Sequence, residues 1–527
     1  MQTYDAVFVG AGHNALVAAA LLARQGWSVL LLDRADRPGG FVRTEELTLP
    51  GFLHDTWSSA HPLFVSGPAY AALHDDLTAR GLEYVTAPYP TGVSLAGGRS
   101  AVLAAGEEGA LEAERLAPGD GAVWQEMFAG FWPHAGPVFE LFGLDLTSSR
   151  ARELIRELLV GPDGAPSAFA ADALHPASAV LDRFAAPELP ALIAGWLEHL
   201  GRRPDEVGGA LWVPLTLAAL SGGMHVPRGG SGTLASALAR LVTDHGGEIR
   251  TGATVTAIGV DGGRARTVVT ADGETYTATR AVVASTTPDR LYLELLADAD
   301  GVPDVVRRQA AGYRYGLGCV QVQLALDGAP RFPDERLDRC GQPILTPGVD
   351  GVRRALAQAD AGLLPTEPTI SLDVPSSADP GRAPEGRAVA RLQVLEVPTR
   401  VLGDAGGTID VGGDGWSHDV KERFADRLLE IAERHLPGLR DQVLARHVVS
   451  PAEIAAANPS TGPGDPYGGR HDLAQSYVFR PIPAAAGHAT PVPGLYQLGA
   501  ATWPGHGVNG GSGWIVAQTL LAPAPSP

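Results

Sequence analysis

The chain has 527 residues, 45% hydrophobic and 19% charged, enough apolar material for a packed core; disordered, collagenous and coiled-coil classes are excluded. Its 59 acidic and 40 basic residues leave a net charge of −19, a field that repels phosphate backbones, so no nucleic-acid partner is expected. One lysine, Lys421, and two cysteines, Cys319 and Cys340, in no ligand or redox spacing, remove lysine Schiff bases, Walker loops, structural zinc and dithiol chemistry.

Residues 4–9 form a short apolar run, read as a strand, ending at Gly10-Ala11-Gly12-His13-Asn14-Ala15. An alanine-rich helix is expected over 16–25 and a second strand over 27–32, closed by Asp33. This is a G-x-G-x-x-A fingerprint between strand and helix. Gly10 permits the tight turn, Gly12 admits a pyrophosphate to the backbone, and Ala15 lets the helix pack on the strand. Free N–H groups at the helix start then face the phosphates. Asp33 is placed to accept hydrogen bonds from a ribose. Arg34 follows it, and Gly39-Gly40-Phe41 and Thr44 resemble the extended adenine-dinucleotide motif of flavoproteins, so FAD is expected rather than NAD.

Residues 107–160 read as helical, and 208–226 as an interrupted apolar run, either a buried helix or substrate-channel wall, or a membrane-contact surface. Gly230-Ser231-Gly232 repeats the glycine pattern without a strand before it, and a helix start is expected there. Strands are expected over 248–255 and 280–285, and again over 320–325 and 388–395, where they would lie over the flavin. The stretch 373–386 reads as loop, 417–437 as an amphipathic helix, 495–498 as a strand and 515–521 as a helix. The glycine-rich connection 505–513 would aim that last helix at the flavin pyrimidine ring, where its dipole favours the charge of reduced flavin.

These blocks resemble the phytoene desaturase-like FAD-dependent oxidoreductases, closest to the branch containing pyridine nucleotide-disulfide oxidoreductase domain-containing protein 2. The resemblance rests on 10–19, 39–46, 227–255 and the closing blocks 479–483 and 493–513, and covers essentially the whole chain, loosely over 290–440. It implies an α/β fold in which a Rossmann-type FAD-binding domain is interleaved with a mixed α+β substrate domain, in an amine oxidase/phytoene desaturase-like architecture. The expected division assigns 1–75, 225–290 and 440–527 to the FAD domain, and 76–224 and 291–439 to the substrate domain. Non-covalent FAD would be held by Gly10, Gly12, Asn14, Ala15, Asp33, Arg34, Gly39, Gly40, Phe41 and Thr44, by Val255 at the adenosine end, and by Gly499, Ala500, Gly507, Val508 and Asn509. Phe41 stands where the desaturases usually carry Arg, and Trp503 precedes Pro504 where His is usual, which argues against a long carotenoid substrate.

Flavin itself accepts hydride, so few catalytic side chains are required. His506, titrating near neutrality, is the first candidate, with Tyr477 and Arg480 lining the substrate end. His13 and His61 are read as structural. The expected partners are an apolar small-molecule substrate and oxygen or a quinone as electron acceptor, with peripheral membrane contact. No metal is expected. The few cysteines and the absence of a secretory leader suggest a cytoplasmic setting. Amine oxidation and a non-catalytic flavin-bound scaffold are the rival readings.

Overall fold

Two seven-stranded sheets organise the molecule, which is seen in a computed structural model describing residues 2–104, 106–161, 164–413 and 415–523. The first sheet runs Val255–Asp261, Arg264–Thr270, Thr275–Ala284, Gln2–Val9, Val29–Leu32 and Glu248–Arg250, with Leu495–Gln497 beside Thr275–Ala284. Gln2–Val9 is parallel to both its neighbours, and Leu495–Gln497 is parallel to Thr275–Ala284. Every residue of Val29–Leu32 is buried, as a parallel strand covered on both faces requires. The alanine-rich first helix, His13–Arg24, buries everything from Asn14 to Ala23. The last helix, Gly511–Leu521, lies across it and starts a turn earlier than its sequence suggests.

The strand expected over 248–255 is split. Gly252, at φ +66°, turns the chain, and the N–H groups of Gly252 and Ala253 donate to Ala35 and Asp33 carbonyls at 2.8 Å. Glu248–Arg250 therefore extends the parallel sheet, while Val255–Asp261 opens an antiparallel hairpin. Ahead of Gly230, His225–Pro227 is a short strand paired antiparallel with Tyr84–Thr86, outside the parallel sheet, and Gly232–Asp244 is the expected helix.

The second sheet has the order Val443–Val449, Gly318–Leu326, Ala388–Val397, Ile370–Asp373, Cys340–Thr346, Tyr89–Leu95 and Ser100–Val102. Strand alternation gives it two unlike faces. Val320, Val322, Leu324, Leu392 and Val394 pack against Val420, Phe424, Leu428 and Ile431 of helix His418–His435. That helix is capped by Ser417, whose hydroxyl accepts the Val420 N–H, and carries Asp419 at its start and Arg434 at its end. Cys319, Gln321, Gln323, Arg391 and Gln393 occupy the alternate positions and are all buried.

The first sheet's strands come from 1–75, 225–290 and 440–527, whereas Val443–Val449 pairs in the second sheet. Residues 1 and 524–527 of those ranges lie outside the described residues. Helix Trp212–Ser221 buries Trp212, Val213, Leu215, Leu217 and Leu220, so the stretch 208–226 is core rather than a membrane-contact surface. Among the described residues no helix is long and apolar enough to cross a membrane.

A Cβ on Gly513 would lie 2.1 Å from the carbonyl oxygen of Asn14, so the first and last helices can approach only through this glycine. Gly513→Ala is expected to destabilise the protein by about 1–3 kcal/mol through overpacking, read as a lower Tm. An unchanged Tm would show that the two helices are not held together here.

Candidate cofactor and substrate site

The parallel strands of the first sheet end side by side, where ligands bind in open α/β sheets. The N–H of Gly10 donates to Leu32, that of Ser285 to Val9, and that of Leu498 to Ala284, at 2.7, 2.9 and 3.0 Å. Gly10, at φ +96°, leaves no room for a side chain, because its Cβ would stand 3.2 Å from Ser285 Cβ. The Ala11 peptide is held from both sides: its N–H donates to Asp33 Oδ2 at 2.7 Å, and its carbonyl accepts the Gly39 N–H at 2.8 Å. Asp33 Oδ1 accepts the Ala35 N–H at 2.8 Å. A Cβ on Gly40 would come 3.2 Å from Gly12 Cα, whereas one on Gly12 would meet nothing within 4 Å. Gly12 therefore faces open space at the start of a helix with no acidic residue in its first turn and no side-chain cap.

The closing segment meets this loop. The His13 ring bonds to the Gly507 backbone and lies 3.0 Å from Asn14 Nδ2. Asn509 organises its own loop, its Nδ2 donating to the carbonyls of Gly505, His506 and Gly507 and its Oδ1 accepting the Gly511 N–H at 2.7 Å. Val508 is buried in the first core beside fully buried Ala15. Gly499 donates to Ser512 Oγ at 3.0 Å, and the Ala500 carbonyl accepts from Arg480. Thus Gly10, Gly12, Asn14, Asp33, Gly39, Gly40, Gly499 and the 507–509 loop converge. The start of the last helix, Gly511, follows directly on Asn509. Val255 and Arg34 sit at the margin, Arg34 exposed with one long bond to the Ala456 carbonyl. Thr44 spends its hydroxyl on the Gly232 N–H and on Asp55.

Two buried polar atoms in this cradle, Asn14 Oδ1 and Arg43 Nε, have no hydrogen-bond partner among the described residues. Together with the uncapped helix start and the space before Gly12, they fit the pyrophosphate and flavin of FAD. The Gly10–Asn14 loop would hold the phosphates, and the 507–511 segment the flavin ring.

Phe41, beside the glycine pair, packs on Trp57 with centroids 4.8 Å apart, and both lean on Cys319, Leu395, Val449, Ile454 and Tyr467. Behind this wall the second sheet is polar. Gln321 donates to the Trp57 carbonyl and Gln323 to that of Asp55, each at 3.0 Å, and a buried ion pair joins Arg382 to Asp55 at 2.6 Å.

His506 and Arg480 meet through His471. His506 Nδ1 lies 2.9 Å from His471 Nε2, and Arg480 Nη1 lies 3.1 Å from His471 Nδ1. Burial, reinforced by Arg480, pushes His506 down to about 3, so it is neutral at physiological pH rather than titrating near neutrality. Arg480 braces the closing segment, donating to the Ala500 and Ala501 carbonyls. Tyr477 stands apart, its hydroxyl accepting the Trp212 indole N–H at 2.7 Å. His61 is fully buried between Tyr84 and Ser231. Tyr467 and His471 were not singled out in the sequence. Tyr467 stacks edge-on against His506 at 4.5 Å and donates to the Glu198 carbonyl at 2.9 Å, but no motif surrounds it. Glu198 and Glu396 carry no motif either; they are buried close together, an Oε1 of each is without a hydrogen-bond partner among the described residues, and burial raises both, Glu396 to about 7.

A glycine-framed dinucleotide cradle at the ends of parallel strands, joined through Phe41 and Trp57 to a second sheet, defines an FAD-dependent oxidoreductase. Residues 16–521 match the family model for flavin containing amine oxidoreductase, and the chain belongs to that family. It is 28% identical to pyridine nucleotide-disulfide oxidoreductase domain-containing protein 2 of Mus musculus, over 98% of this chain and 93% of the relative. It is 27% identical to the neurosporene-forming phytoene desaturase of Rhodobacter capsulatus, over 99% and 94%. Cyclohexylamine oxidase from Brevibacterium oxydans shares the fold at TM-score 0.60 and 17% identity, over 98% of each chain.

Asp33 braces the loop, its two oxygens accepting the Ala11 and Ala35 N–H groups, and each oxygen has a further lone pair with which it would accept a ribose hydroxyl. Asp33→Ala is expected to weaken FAD binding about 10- to 150-fold, the worth of one charge-assisted hydrogen bond. An unchanged FAD dissociation constant, measured by titrating apoprotein, would remove Asp33 from the cofactor site.

Proposed function

We propose that this chain oxidises a largely apolar small molecule by hydride removal, with oxygen or a quinone as the final acceptor. The observation that carries the reading is the Phe41–Trp57–Tyr467 wall, which runs from the glycine-pair loop to the second sheet and offers an apolar surface beside the cofactor cradle. Bound FAD supplies the hydride acceptor. The protein's part is to hold the substrate against the aromatic wall, exclude water, and keep His506 and His471 neutral as hydrogen-bonding rather than charged neighbours. On this reading Tyr477 and Arg480 act from behind, through Trp212 and His471.

The family and the cyclohexylamine oxidase fold favour amine oxidation as a second reading. Lys421 gives it no support: its ammonium donates to the Val448 carbonyl and ion-pairs with Glu453, on the helix behind the second sheet. Disulfide reduction has no support either, since Cys319 and Cys340 are separate free thiols. Those thiols fit a reducing, cytoplasmic setting. Exposed Trp132, Leu159, Val160 and Leu174, on or directly after helices that pack together, favour peripheral contact with a membrane.

Anaerobic titration of the FAD-loaded protein with apolar alkenes, alkyl acids and amines tests the reading. At least one apolar substrate is expected to bleach the flavin, and amines to do so no faster. Flavin left oxidised by the whole panel would favour the scaffold reading. After acid precipitation the colour is expected in the supernatant, and a yellow pellet would contradict non-covalent binding.

A further inference from the structure

Helix Glu188–His199 ends at Gly201, whose left-handed φ of +67° turns the chain back so that the Arg202 N–H donates to the Leu197 carbonyl at 2.8 Å. A Cβ on Gly201 would stand 3.2 Å from the His471 ring, so the turn sets Arg202 against the candidate site. Arg202 is 7% exposed. Its guanidinium lies 4.5 Å from the Trp212 ring centroid and 5.5 Å from that of Tyr477, and Nη1 donates to the His471 carbonyl at 2.8 Å. Among the described residues Nε has no hydrogen-bond partner, and the Nε–Nη2 edge makes no bond. That edge, two parallel N–H donors in one plane, matches a carboxylate.

Arg202 lines a cleft of about 330 Å³ that reaches Tyr467 and Glu198 and is walled by Leu356, Leu395 and Leu402. The carboxylates around it are engaged elsewhere or out of reach. Asp360 binds Arg203 at 2.7 Å, Asp472 binds Arg314 at 2.7 Å and Arg470 at 3.3 Å, and burial beside Glu396 holds Glu198 well above the usual carboxylate range, toward its neutral form. Glu206 feels the Arg202 charge without bonding to it. A buried guanidinium without a counter-ion is costly, and burial already pulls its pKa down.

We propose that this cleft is a carboxylate-binding subsite anchored by Arg202, and that the substrate is an apolar acid whose carboxylate pairs with the Nε–Nη2 edge while its apolar body extends toward Tyr467. This rests on the oxidoreductase reading for the word substrate, and the binding claim can be tested separately. Octanoate and 1-octanol serve as probes in calorimetric titration of the FAD-loaded wild type and of Arg202→Met, Arg202→Lys and Glu206→Gln. Octanoate is expected to bind wild type at least 10-fold more tightly than 1-octanol. Its affinity should fall about 10- to 150-fold in Arg202→Met. In Arg202→Lys, which keeps the charge but loses the two-donor edge, a fall of about 10-fold is expected. Glu206→Gln should bind octanoate as tightly as wild type or more so. If Arg202→Met does not fold, the lysine and Glu206 variants decide. Equal binding of acid and alcohol, or octanoate affinity unchanged in Arg202→Lys, would overturn the proposal. Octanoate bound through Arg202 to a flavin that no substrate reduces would overturn the oxidoreductase reading and leave the subsite standing.

Discussion

The backbone of one residue, Ala11, is the point on which the cofactor cradle depends. Its N–H is taken by Asp33 at the end of the second strand and its carbonyl by Gly39 of the glycine pair. Both bonds are short and neither partner is free to move, because Asp33 is also fixed by Ala35, and a Cβ on Gly39 would stand 2.7 Å from that of Ala235. The phosphate loop is thus pre-shaped before any ligand arrives, so little ordering remains to oppose binding. The glycines follow from this constraint: Gly10 is where the Ser285 side chain comes close, Gly40 is where the Gly12 backbone does, and Gly12 is where open space lies.

The closing segment is tied to the same loop from nearly five hundred residues away in sequence. Gly513 lets the last helix touch the carbonyl of Asn14, and the His13 ring holds the Gly507 backbone. Two helix starts, each without an acidic first turn, therefore meet here. Their partial positive charges would favour an anionic pyrophosphate at one and electron-rich flavin at the other.

How much the sequence discloses follows from what each contact is made of. The cradle is backbone against glycine, so its residues had to appear as glycines at fixed offsets from apolar strands, and 10–15, 39–40 and 499–513 can be read directly. The strand over 248–255 is misread because Gly252 hands its bonds to 33–35, a tertiary contact with no local signal. The substrate side is harder still. Tyr467, His471, Glu198 and Arg202 meet by folding of a helix cap onto an irregular segment, and none carries a spacing that marks it. The polar row Cys319, Gln321, Gln323 alternates with valines and leucine in a strand that reads only as apolar. His506 was found by its place in the closing motif, but its burial, which keeps it neutral, could not be seen from its neighbours in sequence.

FAD would lie with its pyrophosphate at the start of the first helix and its flavin ring between Phe41 and the Gly505–Gly511 loop. A crystal structure of the FAD-loaded protein measures this directly. The account predicts phosphate density against the backbone N–H groups of Gly12 to Asn14, a ribose hydroxyl on Asp33, and the flavin edge at the N-terminus of helix Gly511–Leu521. Density for the ring elsewhere, or phosphates away from Gly12, would contradict it.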